Sequence, residues 1–167
     1  RLTNQKDFIT LCKAIYHTKR NNIELVIIGK GMEENLIQDY IQKNNLNAKI
    51  KLIGYQNNPF KYIKQADIFI LTSKFEGSPN VLIEAQYLKK YIISTDCPTG
   101  PREILNNGDF GSLVKVGDYM KIAKIIESFQ YDKNTIRKIK LGFRNTKKYD
   151  YRIKCLEYLK LINKYLY

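Results

Sequence analysis

Five short runs rich in β-branched and aliphatic residues punctuate the chain: 24–29 (ELVIIG), 49–54 (KIKLIG), 67–72 (DIFILT), 91–95 (YIIST) and 112–115 (SLVK). Each is closed by glycine or a polar residue and reads as a buried strand. Between them, 7–19, 33–44, 78–88 and 101–106 carry helical spacing or caps, with a short turn at 59–64. Strand and helix in strict alternation predict an α/β fold with a doubly wound parallel sheet. In such a sheet, ligands sit beyond the carboxyl ends of the strands, close to helix N-termini.

Past residue 119 no further strand is expected. Residues 119–131 read as a helix, and Cys155, Leu156, Leu159, Ile162 and Leu166 form an apolar stripe on a last, basic helix. The stripe is expected to pack on its own domain or on one outside this sequence, with a membrane-surface role as the alternative. Repeats, low-complexity linkers and a second domain are not evident, so 1–167 is expected to form a single domain.

With 167 residues, 44% of them hydrophobic, the chain is long enough to bury a real core. It opens at Arg1, and no apolar run approaches the ~18 residues of a membrane span, so it is expected to be a soluble, cytoplasmic portion of a larger protein. Cys12, Cys97 and Cys155 lie far apart and form no C-x-x-C pair, which points to reduced thiols rather than a disulfide framework or a zinc ribbon. The net charge of +13 invites a nucleic-acid reading, but the lysines alternate with apolar residues along nearly every element, as in KIKLIG and IRKIK. Solvated faces, an anionic membrane leaflet or phosphorylated substrates account for that pattern at least as well.

The stretch 74–88, KFEGSPNVLIEAQYL, carries the most chemistry. Ser78 fits a helix N-cap and Pro79 the first helical position, so the helix starts after Glu76. Val81, Leu82, Ile83, Ala85 and Leu88 then surround Glu84 with apolar residues, and a carboxylate there needs either a lysine partner or a ligand whose hydroxyls it accepts from. Other signals carry little. Asp109-Phe110-Gly111 lacks the remaining kinase motifs, Gly29-Lys30-Gly31 completes neither a dinucleotide nor a P-loop fingerprint, and His17 is the only histidine. No Asp-x-Asp pair is present to hold a metal-bound diphosphate.

Glu76 and Glu84 form the pattern E-x7-E, and EGSPNVLIEA resembles the family 4 version of that motif in retaining, nucleotide-sugar-dependent glycosyltransferases of the GT-B fold. Arg1-Leu2 with Lys6 resembles the end of the family's G-R-L…K segment, and ELVIIGKG its strand and Gly-x-Gly loop. KLIGYQNNPFKYIKQADIFILTS and STDCPTGPREILNNGDFGSLVKVGD are similar to the stretches before and after the motif, so the likeness runs from Arg1 to about Asp118.

The resemblance implies the Rossmann-like, donor-binding C-terminal half of a two-domain enzyme, followed by C-terminal helices. The N-terminal acceptor domain would be absent, and this portion alone would bind donor weakly and transfer nothing. Arg1 and Lys6 would hold the donor diphosphate, with the N–H groups of Asn80 and Val81 at the helix start; Gly77 and Ser78 belong to the same loop. Glu84 would accept from the ribose hydroxyls, Glu76 would contact the transferred sugar, and Gly54, Tyr55 and Gln56 would lie against the base. It further implies a UDP-sugar co-substrate, no cofactor and no metal. The sugar would be a hexose or N-acetylhexosamine and the acceptor a glycan or lipid-linked glycan of a bacterial surface polysaccharide, met at the inner face of the cytoplasmic membrane. A sugar-nucleotide epimerase or hydrolase of related fold, and a basic nucleic-acid-binding module, are the competing readings.

Overall fold

A computed structural model describes residues 1–166, the side chain of Leu166 excepted. All five expected strands form: β1 (Leu25–Ile27), β2 (Ile50–Leu52), β3 (Ile68–Leu71), β4 (Tyr91–Thr95) and β5 (Ser112–Val114). Every pairing is parallel, with β1 beside β2 and the order β3-β4-β5 in a second sheet. This is the expected α/β fold built on parallel strands, although among the described residues no strand hydrogen-bonds β1 or β2 to the other three. Side-chain packing joins them instead, since Ile27 and Ile50 share one core cluster with Tyr91, Ile93 and Val114.

Strand residues alternate between two cores. Ile68, Ile70, Tyr91 and Ile93 turn to the cluster that includes Cys12 and Ile15 of helix α1 (Phe8–His17), Ile37 and Ile41 of α2 (Glu34–Lys43), and Ile122, Ala123 and Ile126. Phe69, Leu71, Ile92 and Leu113 turn the other way, onto Leu82 and Ala85 of α4 (Asn80–Tyr87) and Ile104 of α5 (Pro101–Ile104). With both faces covered, β3 and β4 lack the polar-out alternation of a half-wet sheet, which is why they read as nearly continuous apolar runs. The short α3 (Phe60–Gln65) links β2 to β3.

Two helices depart from expectation. Residues 119–131 split, with α6 (Tyr119–Ser128) ending where Phe129 turns extended. α7 (Lys133–Asn145), capped by Asp132 accepting from the Thr135 N–H at 2.7 Å, was not anticipated. Its inward face mixes Thr135, Lys138 and Gly142 with Ile139. Gly142 lets α7 approach α4, since a Cβ there would lie 3.2 Å from Gln86 Cγ. α8 (Tyr151–Leu166) follows, and residues 151–165 are exposed throughout. The stripe of Cys155, Leu156, Leu159 and Ile162 thus packs on nothing among the described residues, while the side chain of Leu166 lies outside them. No described helix is long and apolar enough to cross a membrane.

Cys12 and Cys97 are buried and Cys155 is exposed. Burial pushes the Cys12 thiol up to about 12, which makes its reactive thiolate scarce. In native protein a thiol-specific reagent should titrate one cysteine rapidly, Cys155, and all three only in denaturant; rapid native titration of a second would show that the packing around Cys12 or Cys97 opens. The same shift makes folding less favourable as pH rises from 9.0 towards about 12, because the unfolded chain releases the thiol proton first.

Candidate functional site

The first six residues form a strap across the carboxyl ends of the strands. Leu2 is fully buried, its N–H donates to the Lys30 carbonyl at 3.0 Å, and its carbonyl accepts from Glu33 N–H at 3.2 Å. Gly31 is needed for this approach, since a Cβ there would stand 2.1 Å from the Leu2 carbonyl oxygen. At its other end the strap crosses to the loop after β3. Lys74 N–H donates to Gln5 O at 2.8 Å, Gln5 Nε2 to Phe75 O at 2.9 Å, and Thr72 Oγ1 to Lys6 O at 2.9 Å. Asp7, in the left-handed region at φ 50°, then turns the chain into α1 and caps it by accepting from Thr10 N–H and Oγ1. Asp tolerates that backbone because its short side chain bonds locally.

The strap delivers Lys6 to Glu76. Lys6 Nζ and Ser73 Oγ both donate to Glu76 Oε1 at 2.6 Å, and the two charged side chains are 27% and 8% exposed. A carboxylate this buried requires such partners. Glu84, expected to be buried, is half-buried, and its side chain makes no hydrogen bond or ion pair among the described residues. The buried face of α4 is Leu82, Ala85 and Gln86, with Gln86 only 1% exposed and its Nε2 donating to Ile104 O at 3.1 Å. Glu84 falls on the flank, lining a groove of about 630 Å³ with Phe60, Ile83, Tyr87, Phe143 and Tyr149. Neither Glu76 nor Lys6 lines that groove.

The turn before α4 also differs in detail. Ser78 is exposed and makes no cap bond; Pro79 (φ −74°, ψ 89°) occupies the cap position and Asn80 begins the helix. The reason is the loop after β4, which packs on this turn. A Cβ on Gly100, whose φ is +84°, would lie 2.5 Å from Pro79 Cδ and 2.6 Å from Gly77 O. Thr99 Oγ1 donates to the Glu76 carbonyl, and Arg102 pairs with Asp96 through two hydrogen bonds. Leu82 N–H bonds to Pro79 O, while the N–H groups of Asn80 and Val81 find no backbone carbonyl. They point out of the N-terminus of an eight-residue helix.

The other predicted residues sit nearby on separate loops. Gly54 O accepts from Gly29 N–H at 2.8 Å, which brings the loops after β1 and β2 together. Tyr55 is exposed, and Gln56 is held by the Tyr62 hydroxyl at 3.0 Å and by its own bond to Ile53 O. Arg1 is exposed with no side-chain partner among the described residues. Sequence reasoning missed Ser73, Thr72 and Thr99, the hydroxyls that fasten these loops, together with Thr95, whose Oγ1 donates to Ser73 O at 2.6 Å. Their one visible signal is that β3 and β4 end in hydroxyl residues, LTS and IST. No group of three or more His, Cys, Asp or Glu side chains stands together among the described residues.

The chain matches the family described as glycosyl transferases group 1 over residues 1–148, and it belongs to that family. It is a GT-B-fold sequence related to family 4, a family of enzymes that transfer hexosyl or N-acetylhexosaminyl groups. An uncharacterized glycosyltransferase of Methanocaldococcus jannaschii is 45% identical over 107 residues, which is 63% of this chain and 26% of that protein. The N-acetylgalactosamine-N,N'-diacetylbacillosaminyl-diphospho-undecaprenol 4-alpha-N-acetylgalactosaminyltransferase of Campylobacter jejuni is 36% identical over 116 residues, 70% of this chain and 32% of that enzyme. The chain thus spans under a third of the length of either relative. Among solved structures, Anabaena HepE in complex with UDP superposes with a TM-score of 0.87 at 19% identity, over 98% of this chain and 47% of that one. The pneumococcal O-GlcNAc transferase GtfA in complex with UDP and GlcNAc gives 0.81 at 20%, over 100% and 35%. These two likenesses show the shared fold.

Gly100→Ala should lower the unfolding free energy by about 1–3 kcal/mol, from the left-handed backbone alone, with the clash against Gly77 and Pro79 added to it. Denaturant unfolding measures it, and unchanged stability would show that the loop after β4 does not hold the Glu76–Pro79 turn.

Proposed function

We propose that this chain is the donor-binding portion of a retaining glycosyltransferase that uses a UDP-sugar. It would transfer a hexose or N-acetylhexosamine to a glycan or lipid-linked glycan of a bacterial surface polysaccharide. The observation that carries the reading is the strap: it sets Lys6 of the G-R-L…K-like segment on Glu76 of the E-x7-E motif, at the carboxyl ends of parallel strands in a chain of this family. The Campylobacter relative's lipid-diphosphate acceptor and the UDP in the HepE and GtfA complexes support the choice of substrates.

In this reading, the diphosphate lies between Arg1, Lys6 and the N-terminus of α4. The Lys6 ammonium has three donors, of which Glu76 takes one, so it can hold a phosphate oxygen without leaving the carboxylate. The N–H groups of Asn80 and Val81, with Gly77 and Ser78 in the loop before them, face the same phosphates. These positive groups do the work that a metal does elsewhere, stabilising charge as the diphosphate departs. Glu84, unpartnered on the flank of α4, accepts from the ribose hydroxyls, and Gly54, Tyr55 and Gln56 border the base. Glu76, fixed by Lys6 and Ser73, orients the sugar. The acceptor hydroxyl oxygen then bonds to the anomeric carbon on the face from which the diphosphate leaves; the carbon–oxygen bond to phosphate breaks, and the hydroxyl proton passes to the departing phosphate oxygen.

Residues 1–167 act as one unit, and acceptor recognition belongs to a second domain that closes over the strap. The enzyme works at the cytoplasmic face of the membrane, in peripheral contact with it.

Calorimetric titration with UDP in EDTA tests the donor site. Wild type should bind, while Glu84→Ala and Lys6→Ala should each weaken binding at least about tenfold, the worth of a charge-assisted hydrogen bond. Because Glu84 has no protein partner, its variant should keep wild-type stability. Absence of binding to UDP, GDP and ADP alike would overturn the reading; a preference for GDP or ADP would overturn only the choice of nucleotide.

A further inference from the structure

From Lys133 to Tyr149 the chain has seven lysines and arginines and no Asp or Glu. Lys138 turns inward, donating to Gly108 O at 2.8 Å and Gly111 O at 2.7 Å. The other six, Lys133, Arg137, Lys140, Arg144, Lys147 and Lys148, are exposed, and none makes an ion pair among the described residues. Lys133, Arg137, Lys140 and Arg144 follow one another at intervals of four, three and four, which places them on one face of α7. The opposite face, with Thr135 and Gly142 buried, packs on α4 and β4.

Like charges at these spacings repel along a helix, so the ridge works against the stability of α7 unless something anionic lies on it. Over eleven residues of rise it makes a straight line of positive charge about 17 Å long. Between the cations sit aliphatic groups, Ile136 (38% exposed) and Leu141, in a shallow groove with no aromatic ring. Base stacking on aromatic side chains, the usual complement to backbone charge contacts with single-stranded nucleic acid, has no platform here. A flat anionic surface with an apolar layer just beneath it fits better: phosphates meet the Lys and Arg heads while Ile136 and the cations' own methylene stems reach the acyl boundary.

We propose that the exposed face of α7, centred on Arg137, Lys140 and Arg144, is a docking surface for anionic phospholipid. It gives the peripheral membrane contact of the reading above a defined place on the molecule, and so rests on that reading for its role. Its physical test involves no nucleotide.

The 167-residue chain is mixed with phosphatidylcholine vesicles, with and without phosphatidylglycerol, at about 0.1 M salt, and the bound fraction is measured by co-sedimentation. Partition onto the phosphatidylglycerol vesicles is expected. The triple variant Arg137→Ala/Lys140→Ala/Arg144→Ala should lose on the order of 100-fold in partition. The control variant Lys43→Ala/Lys64→Ala/Lys124→Ala, equal in charge change and drawn from exposed positions elsewhere, should lose less than about tenfold. Thermal unfolding of both variants checks that they are folded. The proposal is overturned by equal affinity for the two vesicle types, or by equal losses in the two variants. A single-stranded oligonucleotide that binds more tightly than the vesicles through the same three α7 residues would replace lipid with nucleic acid as the partner. UDP titration of the α7 variant separates this surface from the donor site, since the two should fail independently.

Discussion

A buried carboxylate is costly without a cation and hydrogen bonds to hold it, and Glu76 obtains both through contacts that span the sheet. Ser73 is local, but Lys6 arrives from the other end of the sequence on a strap that must first be anchored. Burial of Leu2, worth about 1.5–3 kcal/mol on side-chain transfer alone, supplies one anchor. The hydrogen bonds from Lys74, Gln5 and Thr72 supply the other. One chain segment therefore ties the loop after β1 to the loop after β3. If the strap were displaced, the Glu76 side chain would be left facing only Ser73.

The second layer of support comes from the loop after β4. Gly100 presses its backbone onto Gly77 and Pro79, Thr99 binds the Glu76 carbonyl, and the Arg102–Asp96 pair closes the loop behind them. Hydroxyls at the strand ends do the fastening, because a small side chain with both a donor and an acceptor can satisfy a buried loop carbonyl without taking up core volume. Glu84 contrasts with Glu76 in its surroundings: it is carried on regular helix, and its side chain has no partner among the described residues.

Charge is distributed unevenly. Acidic residues concentrate where they cap or pair, as with Asp7, Asp118 and Asp132 at helix starts and Glu76 within the site. Cations gather on the outer face of α7, where no acidic side chain among the described residues pairs with them. The exposed α8 likewise offers Leu156, Leu159 and Ile162 to a neighbour that the described residues do not supply. α6 and the inner face of α7 belong to the fold core, while the outer face of α7 and α8 stay exposed.

The strands, their parallel sense and the placing of the motif loop at the carboxyl end of β3 were legible in the sequence, because apolar runs closed by glycine and separated by helical spacing admit few other arrangements. The E-x7-E spacing likewise marked both glutamates from local pattern alone. What the sequence could not decide was how far Glu84 is buried. Apolar neighbours surround Glu84 in sequence, but the face of α4 that meets the sheet is selected by where α5 and α7 pack, and that choice buries Gln86 instead. The partner of Glu76 and the helix start at Asn80 were equally hidden. Each depends on contacts between residues tens of positions apart, and periodicity and capping rules reach only a few residues along the chain.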